Sequence, residues 1–483
     1  MGSLENNVTR LQARIYELEH PDPSMVGDSP VFLAHPYRNF GGNPSTYDEP
    51  ERAIIVLDKF LEYGSNFGFF LCPSDFRSST LLPYRMGHHE RPSSSLLATV
   101  YFLGLFFSEN LAWKSLLQTY LAQALEYVSN GLSGTHPQKV LHTIQSEVLL
   151  SNYFFSAGKL LEGRYHIATA LSLCIGSNLN KIHSPEILSL VGSGNALFPQ
   201  AGSSIEIGER ITAWWVTLAL DQCWAAAIEV NSYNDAIIAE SETPWPLPLE
   251  EYKELSHQLS RCSNLLMVSR LNFLVPRDHN SVPPIGRCAP LELFSKASLL
   301  WKQADLIKRV AAAGLDRSSD FEATEKQIIE LLIHLANDRN QASSHTQNLT
   351  LLLAQCIAHA ALIYLNSPIF NASGPVAQEK LSSSCLAILE AVESIDSQLR
   401  YPNPILFMLW ALATRTILNL LQIVSNMDYW QCNGLSLGPS LLVEWYFIES
   451  TVLPPHPMLG KEIHKVRATI EDLFPDILRQ KDV

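Results

Sequence analysis

Apolar side chains recur along most of this chain at helical spacing, and strand-like alternation is nearly absent. Near the N-terminus, Leu4, Val8, Leu11, Ile15 and Leu18 follow one another in steps of 4, 3, 4 and 3. Val8 and Ile15 occupy a positions and the three leucines d positions, a combination that favours parallel two-stranded coiled coils. The seam covers only about two heptads, which makes it marginal on its own. A short amphipathic helix docked on its own domain is the alternative. Pro21 and Pro23 end this helix, and residues 21–50 form a linker dense in Pro, Ser, Gly and Asp. Ala53–Tyr63 reads as the next helix, through Ile54, Leu57 and Leu61. Helical patterning then covers 93–128, 138–157, 159–176, 207–230 and 251–273, and resumes from about 291 to the end. Longer Gly/Ser/Pro-rich loops fall at about 184–206, 231–250 and 274–290. The predicted class is all-α: a dimerisation helix at 1–20, a linker at 21–50, a helical core at 51–290 and a C-terminal helical part of the same domain at 291–483.

Composition narrows what such a body does. The 483 residues are 47% hydrophobic, enough for a large core, and the net charge is −14. No dense Lys/Arg cluster offers the electrostatic footprint of a nucleic-acid binder. The eight cysteines are scattered, with no C-x-x-C half-site and no disulfide framework, and read as reduced core residues of an intracellular protein. The apolar runs 96–107, 351–365 and 405–424 resemble membrane spans. The first two are too short and Arg415 interrupts the third, so buried core helix is the better reading, with no membrane partner.

Catalytic signatures are missing. There is no phosphate-binding glycine loop, no H-E-x-x-H and no G-x-S-x-G. His88-His89-Glu90 sits before Arg91-Pro92, where a loop position is expected, and the trio does not amount to a metal site. Asn234-Asp235 with Glu242 half-matches a magnesium motif of terpene cyclases, but no Asp-Asp pair supplies the other metal ligands. We therefore expect no catalytic residue, no bound metal and no enzyme activity.

The most informative stretch is Glu209–Pro246, which opens ERITAWWVTLALDQCWAAAIEV and closes SETPWPLP. Trp214, Trp215 and Trp224 share an otherwise apolar helix with one acid, Asp221. Trp214 and Asp221 lie seven apart, on one helical face. A carboxylate there needs a basic partner or stays protonated. Upstream, residues 139–157 and 159–176 read as an αα-hairpin. Gly158 suits its turn, and Gly163 would let another backbone approach closely.

These blocks resemble the middle region of fungal binuclear zinc-cluster transcription factors, in the form found in basidiomycetes. The Glu-Arg start, paired aromatic, later Asp and Thr-Pro-Trp-Pro close of 209–246 occur there in the same order. So do Gln145, Gly158, Glu162-Gly163-Arg164, Ala168, Ala170 and the close Leu179-Asn180-Lys181-Ile182-His183. The run RMGHHERP at 85–92 resembles the family's GHP-x-RP approach to this domain. The likeness covers about residues 75–250. One departure is Glu229-Val230-Asn231, where the family often has Gly-Arg-Pro.

The resemblance implies a nuclear regulator of RNA polymerase II transcription that controls a metabolic or biosynthetic gene set. It also implies a small-molecule effector and weak homo- or heterodimers with related factors. Family members read DNA through a zinc-binding cysteine cluster upstream of the coiled coil. No such cluster is present here, so no cofactor is expected in this chain. DNA would be read only through a cluster that a longer gene product or a partner supplies. The resemblance also implies that its two blocks pack together, which makes Arg164 the expected partner of Asp221. Arg164, Trp214, Trp215, Asp221 and Trp224 are then the candidate core or effector-pocket residues. A non-DNA-binding interaction or ligand-sensing protein of the same fold, titrating full-length partners through the coiled coil, is the second reading. An all-α enzyme of unrecognised type is the third.

Overall fold

Helix capping and helical burial shape the structure, a computed structural model. It describes residues 50–182, 203–230, 241–249, 289–314, 318–339, 345–367, 375–395 and 401–425, with 201, 251–252 and 468 as isolated positions. Most of the helices predicted from pattern fall within these segments. The seam at 4–18, the linker residues 21–49, the helix at 253–273, the loop residues 183–200, 231–240 and 274–288, and the chain beyond 425 apart from residue 468 lie outside them; residue 50, expected to end the linker, instead opens the first helix. The described residues belong to one unit, Ser45–Val483. They contain α-helices and short 3₁₀ turns and, among the described residues, no strand. The class is all-α.

The first helices are α1 (Pro50–Tyr63), α2 (Pro73–Thr80), α3 (Ser94–Phe106), the single turn α4 (Leu111–Lys114) and α5 (Leu117–Ser129). The apolar run at 96–107 becomes α3, whose residues Ser95–Leu105 are all buried. Ser93 caps it, accepting a hydrogen bond from Leu96 N–H. A helix apolar on every side must be surrounded, and α1, α5 and α6 (Lys139–Ser156) enclose it.

The predicted αα-hairpin forms from α6 and α7 (Leu160–Gly176). Gly158 turns it with φ +72°, left-handed backbone that suits glycine. The expectation for Gly163 needs correction. A side chain there would meet the ring of Phe155 at 2.5 Å, not another backbone. Phe155 in turn lies flat on Trp224, with ring centroids 3.7 Å apart. Polar residues inside α6 serve the chain segment that crosses them. Gln145 Oε1 accepts from Phe70 N–H (2.7 Å), its Nε2 donates to Gly68 O (3.1 Å), and Asn152 Nδ2 donates to Phe67 O (2.9 Å).

The long helix α8 (Ser204–Ala227) follows. Ser203 accepts from Glu206 N–H, the Ser-x-x-Glu start of a capping box, and Glu206 reaches Arg210 one turn on at 2.6 Å. From Gly208 to Ala226 nearly every residue is buried, against α7, α6 and α9 (Pro290–Ala312). The C-terminal part continues through α10 (Ser318–Arg339), α11 (His345–Asn366), α12 (Pro375–Glu393) and α13 (Ile405–Ser425). Here α11 is central, packed on α9, α10, α12 and α13. The apolar run at 351–365 proves longer than its pattern suggests. Asn348–Asn366 spans 19 residues at mean hydropathy 1.6, long enough to cross a membrane, but 67% of that stretch is buried among its neighbours. That is the signature of a core helix as much as of a span.

Candidate functional site

Three arrangements converge on α8. At its middle, Arg164 Nη1 of α7 donates to Asp221 Oδ1 at 2.7 Å and to the Asp221 carbonyl at 3.3 Å. Gln222 Nε2 donates to Asp221 Oδ2 at 3.1 Å. The Asp221 side chain is 4% exposed and that of Arg164 15%. The buried carboxylate thus has the basic partner that its setting demands.

The tryptophans split into different roles. Trp214 and Trp224 are fully enclosed, and their indole N–H groups have no hydrogen-bond partner among the described residues. Trp215 Nε1 donates to Pro244 O at 2.6 Å, and its ring stacks on Trp245 with centroids 4.0 Å apart. Segment 241–249 is therefore fastened across α8. Its other edge is tied to the end of the hairpin. Glu242 N–H donates to Asn180 O (2.9 Å), Thr243 Oγ1 donates to Leu179 O (2.6 Å), and Ile182 N–H donates to Thr243 Oγ1 (3.1 Å). Two sequence closes that lie some sixty residues apart thus become one small hydrogen-bonded assembly. Trp214 and Trp215 are packed within the core at 0% and 2% exposure, and the cavity described next is lined by neither.

That cavity, about 450 Å³, opens beside the N-terminal turn of α8. Its volume lies in the range of small-ligand pockets. Leu71 and Phe76 give it an apolar side, and residues 89–92 of the RMGHHERP run form another wall. Asp75, Glu206 and Glu209 place carboxyl groups on it. Glu209 Oε1 accepts from Cys72 N–H at 2.8 Å. Burial pushes the Glu209 carboxyl up to about 7; the Cys72 N–H opposes this, neighbouring Glu206 and Asp75 add to it, and Arg210 opposes it.

Two imidazoles complete the wall. His136 is fully engaged: Nε2 donates to Arg91 O (2.8 Å) and Nδ1 accepts from Gln138 N–H (3.2 Å). His142, on α6, is 5% exposed and accepts from Ser93 N–H through Nδ1 at 3.1 Å. Burial first, and His136 second, push its pKa down to about 3, so the ring is neutral and the proton sits on Nε2. Nothing in the linear pattern marks His142 or Glu209 as members of one site. Glu209 is visible in sequence only as the opening acid of a helix. Among the described residues, no group of three or more His, Cys, Asp or Glu side chains is arranged to hold a metal ion.

At the far end of α8 the chain turns through Glu229, whose φ is +54°. Left-handed backbone of this kind suits glycine better than a residue with a side chain. Here three cations of α9 compensate. Lys308 pairs with Glu229 at 2.8 Å, while Lys302 Nζ (2.9 Å) and Arg309 Nη2 (3.1 Å) donate to Val230 O. Lys302 and Arg309 are both anchored on the buried Asp305.

No protein-family model, no curated protein and no solved structure matches the chain.

Proposed function

We propose that this chain is the regulatory body of a transcription regulator of fungal zinc-cluster type, acting in the nucleus on RNA polymerase II transcription of a metabolic or biosynthetic gene set. The observation that carries the reading is the mutual packing of the blocks on which the resemblance rests. The hairpin, its Leu179–Ile182 close and the 209–246 stretch meet through the Asn180, Thr243, Trp215 and Asp221 contacts, and the approach run 85–92 shares a cavity wall with the start of α8. Motifs that recur together in a family are expected to touch when they build one functional body. DNA is read through a zinc cluster supplied by a longer product or a partner, and dimerisation runs through Leu4, Val8, Leu11, Ile15 and Leu18. The body senses a small molecule and adjusts transcription accordingly.

The test is a fusion of the whole chain to a heterologous DNA-binding module at a reporter promoter, in a fungal host. A reporter output that differs at least about threefold from the module alone, with nuclear accumulation of the untagged chain, is the expected outcome. Output equal to that of the module alone across carbon and nitrogen sources would remove this reading.

A further inference from the structure

We propose that the cavity beside the N-terminal turn of α8 is a binding site for a small organic amine, received by the Glu209 carboxylate and the His142 imidazole. The site stands on the cavity itself and holds whether or not the chain regulates transcription.

Two open polar atoms of opposite sense carry the inference. Glu209 Oε1 is occupied by Cys72 N–H, and Oε2 has no hydrogen-bond partner among the described residues. His142 is buried, and its Nδ1 is committed as an acceptor to Ser93 N–H. A backbone N–H only donates, so Nδ1 carries no proton and a neutral ring must carry it on Nε2. That N–H has no partner among the described residues either. Both side chains line the same cavity of about 450 Å³. An open donor and an open acceptor on the walls of one cavity are the places where a ligand's polar groups are received.

Charge selects the occupant. Asp75, Glu90, Glu206 and Glu209 line the walls, Glu206 already paired with Arg210, against Arg91, His89 and the imidazoles of His136 and His142, whose pKa values burial pushes down. The surroundings attract a cation and repel an anion. An ammonium group donates to Glu209 Oε2 and draws its carboxyl into the charged form. A hydroxyl, ether or carbonyl oxygen elsewhere on the molecule accepts from His142 Nε2–H. Leu71, Phe76 and Ile205, on the same cavity, offer apolar contact to the carbon skeleton.

The test uses the full-length protein in titration calorimetry at pH 8, with tyramine, benzylamine and ethanolamine as amine probes. Uncharged p-ethylphenol and anionic p-hydroxyphenylacetate share tyramine's skeleton and serve as controls. At least one amine is expected to bind with Kd below about 1 mM. Tyramine is expected to bind at least about tenfold more tightly than either control, as befits a charge-assisted hydrogen bond. Glu209→Gln keeps an oxygen for Cys72 N–H and should stay folded, yet lose at least about tenfold in amine affinity while p-ethylphenol binding is unchanged. Asp75→Asn, at an exposed position, serves as a second variant and should weaken amines by about twofold to threefold. Failure of all three amines to bind, equal binding of tyramine and p-ethylphenol, or an unaffected Glu209→Gln would each overturn the proposal. Amine binding without any reporter response would leave the site standing and remove the regulator reading. A reporter response without amine binding would do the reverse.

Discussion

Asp221 is a lone acid in an apolar helix, and its need for a partner can be read from the sequence alone. The packing expected of the two sequence blocks points to Arg164, and that pair is present at 2.7 Å. Removing one member of a buried pair leaves the other uncompensated, so Asp221→Ala should cost roughly 3–5 kcal/mol in chemical denaturation. A loss under about 1 kcal/mol would mean that water or another group replaces the carboxylate. The cavity residues are not legible in the same way. Its walls come from four separated segments around positions 71–79, 89–92, 136–142 and 203–209, and only folding brings them together. His142 sits in a helix whose other residues read as ordinary core. Its role depends on Ser93 N–H reaching its ring, which no spacing rule anticipates.

At the scale of elements, the helices are readable because burial in an all-α body imposes its period on the chain. Starts and ends of α1, α6, α7 and α8 lie within a few residues of the pattern's own limits. What the pattern does not supply is contact identity. Gly163 is needed for a ring, and that ring cannot retreat because Trp224 lies behind it. Gly163→Ala should therefore destabilise by about 1–3 kcal/mol, with thermal denaturation as the check, whereas a neutral effect would show that α6 and α7 can separate freely. The end of α8 allows a sharper comparison. Glu229→Gly relieves left-handed backbone but loses a partly exposed ion pair with Lys308. Glu229→Ala loses the pair and keeps the strain. The glycine variant should be the more stable of the two by about 1 kcal/mol. The reverse order would show that the Lys308 contact, not the backbone, governs this turn.

For the whole molecule, acidity should act through the same cavity groups. His142 has its pKa lowered from 6.5 to about 3 by folding, so the unfolded chain binds its proton first as pH falls. Its contribution is complete above pH 6.5 and is lost on acidification, at about 1.4 kcal/mol per pH unit below that point. His359, lowered to about 4, acts in the same direction. Glu209 acts oppositely. Folding raises it from 4.5 to about 7, so its contribution is full below pH 4.5 and fades as pH rises to 7. Glu209→Gln should thus gain stability relative to the parent between about pH 5 and pH 8, measured by urea denaturation at each pH. A constant difference would show that Glu209 titrates as an ordinary carboxyl. The proposed assembly through residues 4–18 is tested separately: Leu11→Pro would break a helix and seam there, and on that proposal should shift a concentration-dependent monomer–dimer equilibrium toward monomer in sedimentation. An unchanged mass distribution would leave residues 4–18 as a local cap.

The buried thiols turn this fold into its own recording device. Cys174, Cys223, Cys356 and Cys385 stand one each on α7, α8, α11 and α12, at exposures of 1% or less. Burial pushes all four up to about 12, so an alkylating reagent finds neither access nor thiolate while the helices stay packed. Each becomes reactive only when its own helix opens. Pulse labelling followed by mass spectrometry of the separate peptides would then time the opening of the hairpin half against that of the C-terminal half. An occupied cavity at the start of α8 should slow the clock at Cys174 and Cys223 more than at Cys356 and Cys385.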